Sequence, residues 1–395
     1  MASACARWAA FSIAVCAVVP ATRAFGDTSF YVIPAFSIGR AHDDNLFSTP
    51  TDPQADYLWR FSPALEAGFE SETLTLASFY TVDAERYAHY TGLDSNEARR
   101  NAALNLRYQA SSRLSLALEG DYTSTNSLSE LAPGTVVEPG REHARVLTLT
   151  PSLKYAFSEL TTGNLGYTAT RYELFGTPTT RVDTADVGLE QLLSRRDTLT
   201  MDYTRTQYDF GLGDTVDSEA IVGGWTHALS PDTSVILAVG PRDTEGSWSV
   251  DAHAGLRHTL ETGNLSLDYV RSKSVVIGQA GTVDIKTATA LLDFKFAADY
   301  ELQLVPSYSS DKTGTSEADV TRFDLNLSYK LARDTSAVGS YQFNRQRGLL
   351  GGIGNPEILD RVVYLGLVFS FPTTTGNFAE RQSSPFETLW PAPRH

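Results

Sequence analysis

Charged and amide side chains recur at every second residue along most of this chain, and they set the chemistry open to it. Asn105 and Arg107 lie two apart, as do Glu119 and Asp121, Asp293 and Lys295, and Asp324 and Asn326; Lys154, Asp202, Asp268, Glu301 and Lys330 stand in similar alternating runs. A spacing of two puts side chains on one face of an extended strand, with the residues between them on the other. If such strands close into a ring, the polar face lines a wet interior. Carboxylates there (Glu119, Asp121, Asp202, Asp268, Asp293, Glu301 and Asp324) favour cations and neutral sugars over small anions. Arg107, Lys154, Lys295 and Lys330 can pair with some of them and leave mixed belts of charge. Inward rings such as Tyr172 and Tyr364 offer faces on which sugars stack, or simply fill space.

Nothing in the spacing points to catalysis. The seven histidines form no HExxH pair, and His253 and His258, five apart, fall on opposite faces of a strand. No GxSxG elbow, P-loop or EF-hand loop occurs. No enzymatic activity and no cofactor are therefore expected. Asp43-Asp44-Asn45 carries oxygens of the kind calcium takes. Such a run is more often a turn whose Asp and Asn side chains bond nearby backbone, so a turn and no metal are expected.

The elements that must position these residues begin after residue 24. Arg7 precedes the apolar run Trp8 to Val19, and Pro20 with Ala21-Thr22-Arg23-Ala24 offers a cleavage site after Ala24. That is a secretory signal pattern, too short to span a membrane. Both cysteines, Cys5 and Cys16, lie inside it, so a mature chain has neither a disulfide nor a thiol nucleophile. The formal charge of −15 falls to −17 when Arg7 and Arg23 leave, which argues against nucleic acid as a partner.

From Ser29 onward the chain alternates. Ser29 to Gly39 reads as a first strand, followed by a polar stretch from Arg40 to Ala55. Tyr57 to Glu70 and Thr73 to Val82 flank a brief turn, and residues 83–98 read as a longer polar connection. The cycle repeats through similar turns, such as Arg196-Asp197-Thr198, Pro231-Asp232-Thr233 and Arg333-Asp334-Thr335. It ends at Arg361 to Phe371, where Val363, Leu365, Leu367, Phe369 and Phe371 make one apolar face. That face is about the length a tilted strand needs to cross a bilayer. The pattern predicts an all-β fold: a transmembrane antiparallel up-and-down barrel of about 18 strands, with 16 the alternative, joined by short periplasmic turns and longer outer loops. Its domains are a signal peptide at 1–24, a barrel at 25–371 and a periplasmic tail at 372–395. A soluble β-sandwich also alternates, but it does not use so many consecutive hairpins or place charge in mid-strand. An unpaired edge in lipid leaves backbone groups unsatisfied, so the last strand must close on the first.

The first strand followed by Ala41-His42-Asp43-Asp44-Asn45-Leu46-Phe47, together with the terminal YLGLVFSF, resembles a family of outer-membrane β-barrel porins associated with exopolysaccharide systems. In that family an outward strand leads into an Asp-Asp-Asn-aliphatic-aromatic motif, here Asp43, Asp44 and Asn45. Members often end at the aromatic residue, whereas this chain runs on from Pro372 to His395. The resemblance implies a conduit for polysaccharide export in a Gram-negative outer membrane. Its partners would be outer-membrane lipid, the barrel assembly machinery, and polysaccharide with periplasmic export components. The alternatives are a general diffusion porin for small solutes and a barrel that sheaths a partner such as a cytochrome. The loop at 124–143 and the Gly-rich 348–355 are the candidates for narrowing the pore.

Overall fold

The computed structural model describes residues 28–375, apart from 128–130, 132–139, 212, 214, 298, 315, 351–355 and 372. The expected signal peptide, and the tail beyond residue 375, lie outside the described residues. The strands are β1 (Ser29–Asp43), β2 (Asp56–Glu70), β3 (Leu74–Tyr87), β4 (Ser95–Gln109), β5 (Leu114–Thr125), β6 (Ala144–Ala156), β7 (Thr161–Leu174), β8 (Thr180–Leu192) and β9 (Asp197–Asp209). They continue as β10 (Thr215–Ser230), β11 (Thr233–Thr244), β12 (Ser247–Leu260), β13 (Gly263–Val275), β14 (Thr282–Ala297), β15 (Tyr300–Thr313), β16 (Ser316–Ala332), β17 (Thr335–Arg347) and β18 (Glu357–Ser370).

Each strand pairs antiparallel with the next, and β1 pairs with β18, so the sheet is a closed barrel of 18 strands. Closure removes the edges that would leave backbone groups unpaired. Ala35 to Asp43 face Ser370 to Val362 across this seam. A three-residue strand, β19 (Thr373–Thr375), pairs with Phe30 to Val32 and extends the seam.

Connections differ at the two ends. Those after even-numbered strands are brief, such as 71–73, 231–232 and 333–334; those after odd-numbered strands include 44–55, 126–143 and 276–281. An even strand count puts the first and last strands' outer ends on the brief-turn side.

Burial separates the two faces. Along β1, Tyr31, Ile33, Ala35, Ser37 and Ala41 are buried, while Phe30 and Phe36, at alternate positions, are exposed. The buried set is the concave face, because side chains from non-adjacent strands meet there: the Arg60 guanidinium of β2 lies 5.9 Å from the Tyr364 ring of β18, across β1. The convex face carries the exposed apolar side chains, including Leu65, Met201, Leu237, Leu327 and Leu365. At the brief-turn end this face carries a run of stacked rings: Phe294 and Phe296 at 6.5 Å, Phe296 and Tyr300 at 5.0 Å, and Tyr300 and Tyr329 at 4.4 Å.

Several strands outrun the alternation at the long-loop end. β1 reaches Asp43 rather than Gly39, and β3 and β4 absorb most of the stretch 83–98. The pairing continues there, with Arg99 opposite Asp83 and Arg60 opposite Glu85, although the β3–β4 register shifts between Asp83 and Glu85. The convex face has turned polar, as at Arg86 and Arg100, so period-2 apolarity fades before the hydrogen bonding does.

Inside, glycine makes room for rings. A Cβ at Gly39 would run into the ring of Tyr364, and one at Gly68 into the ring of Tyr31. The two tyrosines therefore lie flat on a neighbouring strand and are 2% and 7% exposed.

Candidate functional site

The lumen is the concave wall together with the connections that fold into it. Register places Asn105, Arg107, Glu119, Asp121 and Lys154 on this wall across β4 to β6, since Asn105 faces Glu119, Glu119 faces Thr150, and Lys154 shares that alternation. Asp202 and Asp268 occupy it on β9 and β13. Asp293, Lys295, Glu301, Asp324, Asn326 and Lys330 occupy it on β14 to β16, with Lys295 opposite Glu301.

Several of these are drawn into pairs. The Asn105 amide donates to Glu119 at 3.3 Å, and the Asn326 amide donates to Gln303 at 3.1 Å. Asp268 accepts from Arg257 at 2.6 and 2.8 Å and meets His253 at 3.1 Å. Asp324 accepts from Arg322 at 2.6 Å. Asp202 and Asn164 reach over Gly188, and Asp186 over Gly166; in each case a Cβ on the glycine would collide with them. The wall is thus a mixed belt of charge rather than a field of one sign.

Of the two inward tyrosines, Tyr364 is buried and Tyr172 half-buried. Tyr364 is packed on Gly39, and Tyr172 packs against the cluster of Ala144, Leu174 and Ile277.

A denser network stands at the long-loop end. Arg60 on β2 donates to Glu85 on β3 from Nε at 3.0 Å and from a terminal nitrogen at 2.8 Å. Arg99 on β4 donates to Asp83 at 2.8 and 2.5 Å. The Tyr87 hydroxyl donates to Glu85 at 2.6 Å. Arg141, from the β5–β6 connection, reaches in to Glu85 at 3.4 Å and donates to the Tyr87 hydroxyl, with its guanidinium 5.2 Å from that ring. All of these side chains are largely buried. Burial of paired charge holds geometry, because removing either partner strands the other. At the foot of the same connection burial, and then Arg145 and Arg100, hold the His143 imidazole below its usual pKa. None of this network stands out in the sequence, because 83–98 and 124–143 read as polar connections. The usable signal was the alternation of Asp83, Glu85 and Tyr87.

The mouth is crossed by a strap. The β13–β14 connection, 276–281, leaves its own wall and packs on the far side: Ile277 joins Ala144 of β6 and Leu174 of β7, with Leu131 against them. A Cβ at Gly278 would stand 2.6 Å from Leu174 Cδ2, and its φ is +86°. Only glycine meets both conditions without strain. On the other side Val276 packs with Val283, Ile285, Ala318, Val320 and Leu350, and the Gln279 amide donates to the Leu350 carbonyl at 2.9 Å. Below the strap, Val275 packs with Tyr208 and Phe210 across three intervening strands. Of the two segments expected to narrow the pore, 132–139 and 351–355 lie outside the described residues; Leu131 and Leu350, from their described parts, hold the strap. The sequence signal was Val275-Val276-Ile277, an apolar run where a water-exposed loop would be polar.

No protein-family model and no curated protein match the chain. Among solved structures it is similar to OccAB4 of Acinetobacter baumannii, with 10% identity over 89% of this chain and 100% of that one at a TM-score of 0.46. It is likewise similar to the outer membrane protein OpdK of Pseudomonas aeruginosa, with 12% identity over 88% and 100% of the two chains at a TM-score of 0.46. A third is the siderophore receptor PirA of Pseudomonas aeruginosa, with 10% identity over 86% and 80% at a TM-score of 0.39. The closed barrel itself rests on the strand register of this chain.

Proposed function

We propose that the chain is an outer-membrane β-barrel channel that passes small polar solutes by diffusion. The observation that carries this is the division between its faces. Leu365 is 66% exposed, Met201 61% and Val239 61%, all on the convex side, while ion pairs and amides occupy the concave side. In water so much exposed apolar surface is a liability. In a bilayer it is the surface that lipid solvates, and the run of stacked aromatics on β14 to β16 suits the interface. The wall chemistry then sets selectivity through size, hydrogen bonding and paired charge.

The strap favours small solutes. Export of a polysaccharide, the use implied by the resemblance to exopolysaccharide-associated porins, needs a bore that admits a sugar chain. So does a sheath around a partner protein. Both require Ile277 to leave Leu174 and Ala144, whereas a small solute does not. Liposome swelling with the purified protein separates the readings. Swelling that falls off sharply from monosaccharide to tetrasaccharide supports diffusion of small solutes. Equal entry of long oligosaccharides supports polymer passage instead, and no swelling by correctly folded protein removes the channel reading.

A further inference from the structure

Three carboxylates from opposite ends of the chain meet where the barrel closes. Asp43 ends β1, Asp44 follows it, and Asp360 comes from β18; one oxygen from each lies within 4.8 Å of the others. The surroundings are held firmly. The Asn45 amide donates to the Leu359 carbonyl at 2.8 Å and to the Thr49 carbonyl at 2.9 Å. The Asp44 N–H donates to the Arg361 carbonyl at 3.1 Å, and the Arg361 N–H to Asp44 Oδ1 at 2.7 Å.

Two oxygens at this place lack donors. Asp360 is 9% exposed, and its Oδ1 is buried with no hydrogen-bond partner. Asn344, opposite Asp360 in the register, also has a buried Oδ1 with no partner. A buried carboxylate oxygen without a donor is costly, and a second carboxylate beside it makes the cost larger. The nearby guanidinium groups have other carboxylates as direct partners, Arg322 donating to Asp324 at 2.6 Å and Arg141 lying 3.4 Å from Glu85, while their charges act on Asp360 and Asp43 from further away. Arg361 approaches only Asp44, at 3.7 Å. What remains is a set of oxygens, charged and amide, with no nitrogen or sulfur among them. Hard cations take such a set, and calcium binds oxygens at about 2.3–2.6 Å, so two ligands on opposite sides of one ion stand about 4.8 Å apart.

The geometry points to a divalent-cation site, fitted to calcium, formed by Asp43, Asp44 and Asp360 with the Asn344 amide oxygen. It bridges β1 and β18, the one strand pair in the ring not joined by a connection. A bound ion would therefore latch the barrel shut at its seam. The Asp-Asp-Asn run is then a half-site, completed by a carboxylate from the last strand.

The test uses the folded barrel in detergent micelles, stripped with chelator and titrated with calcium chloride alone. Calorimetry should show saturable binding of one ion, with a dissociation constant on the order of 10⁻⁴–10⁻³ M, as for extracellular calcium modules. Calcium should also raise the temperature at which the folded form disappears on a heat-modifiability gel. Asp360→Asn should weaken binding by about tenfold or more and abolish that rise. In chelator the same variant should unfold no lower than the wild type, because it removes repulsion; a merely structural Asp360 would make it unfold lower. If Asp360→Asn does not fold, the more exposed Asp44→Asn takes its place with the same expectations. The proposal is overturned by absence of saturable calcium binding in folded wild type, or by an equal calcium-induced rise in a variant. It is also overturned by a stability that follows pH but not calcium, which would mean a proton shared between Asp43 and Asp360.

Discussion

Gly278 is seated against Leu174, although the connection bearing the one and the strand bearing the other are separated by five strands of the ring. That contact turns a ring of hairpins into a constricted passage. A plain barrel of this strand number leaves an open aqueous channel. Here the apolar residues Val276 and Ile277 are drawn inward because the hydrophobic clusters on either side, around Leu174 and around Val320, bury them.

The Arg60–Glu85 pair is expected to be a stability determinant. Arg60→Ala leaves Glu85 buried with one fewer partner, so unfolding by urea in lipid vesicles, followed by tryptophan fluorescence, should show a loss of about 3 kcal/mol or more. Replacing both by apolar residues of similar volume should cost less than the sum of the two single changes.

Packing of Tyr364 on Gly39 predicts a second non-additive pair. Gly39→Ala places a methyl group into the ring and should destabilise by about 1–3 kcal/mol. In a Tyr364→Leu background the same alanine should cost much less. Heat-modifiability on a gel reports both.

Convex Leu365 tests the lipid assignment. In a bilayer, Leu365→Arg should lower stability by about 2–4 kcal/mol. In a soluble protein a side chain so exposed would tolerate arginine within about 0.5 kcal/mol. Reversible unfolding in lipid vesicles separates the two.

Acidic groups on β8 and β9 should bias the passage toward cations. Neutralising Asp186 and Asp202 together should shift the reversal potential in a potassium chloride gradient toward the anion side. Neutralising the convex Asp183, hydrogen-bonded to Tyr167 at 2.6 Å, should leave it unchanged.

Much of this architecture is legible in the sequence, for a physical reason. A strand between lipid and water must alternate, so the runs ending at Tyr155, Tyr329 and Phe371 mark strands, and their polar partners mark the lumen wall. Legibility fails where lipid stops. Beyond it the convex face is no longer held apolar, so β3 and β4 outrun their pattern, and Asp83 and Glu85 read as loop. It fails again for contacts that closure creates. Asp360 meets Asp43 only because β18 pairs with β1, and Ile277 meets Leu174 only because a connection bends across the ring. The apolar run Val275-Val276-Ile277 marks a connection that turns inward, but nothing local names the partner in either pairing.

The account is tested most directly by single-channel conductance in a planar bilayer, comparing the wild type with a chain in which 276–281 is replaced by Asn-Gly. Val275 and Thr282 face each other in the ladder, so a two-residue turn can join them. The strap predicts stable wild-type openings and clearly larger ones in the shortened chain, with oligosaccharides blocking the latter more readily. Equal conductances would contradict the constriction, and folded, heat-modifiable protein that never conducts would contradict the channel.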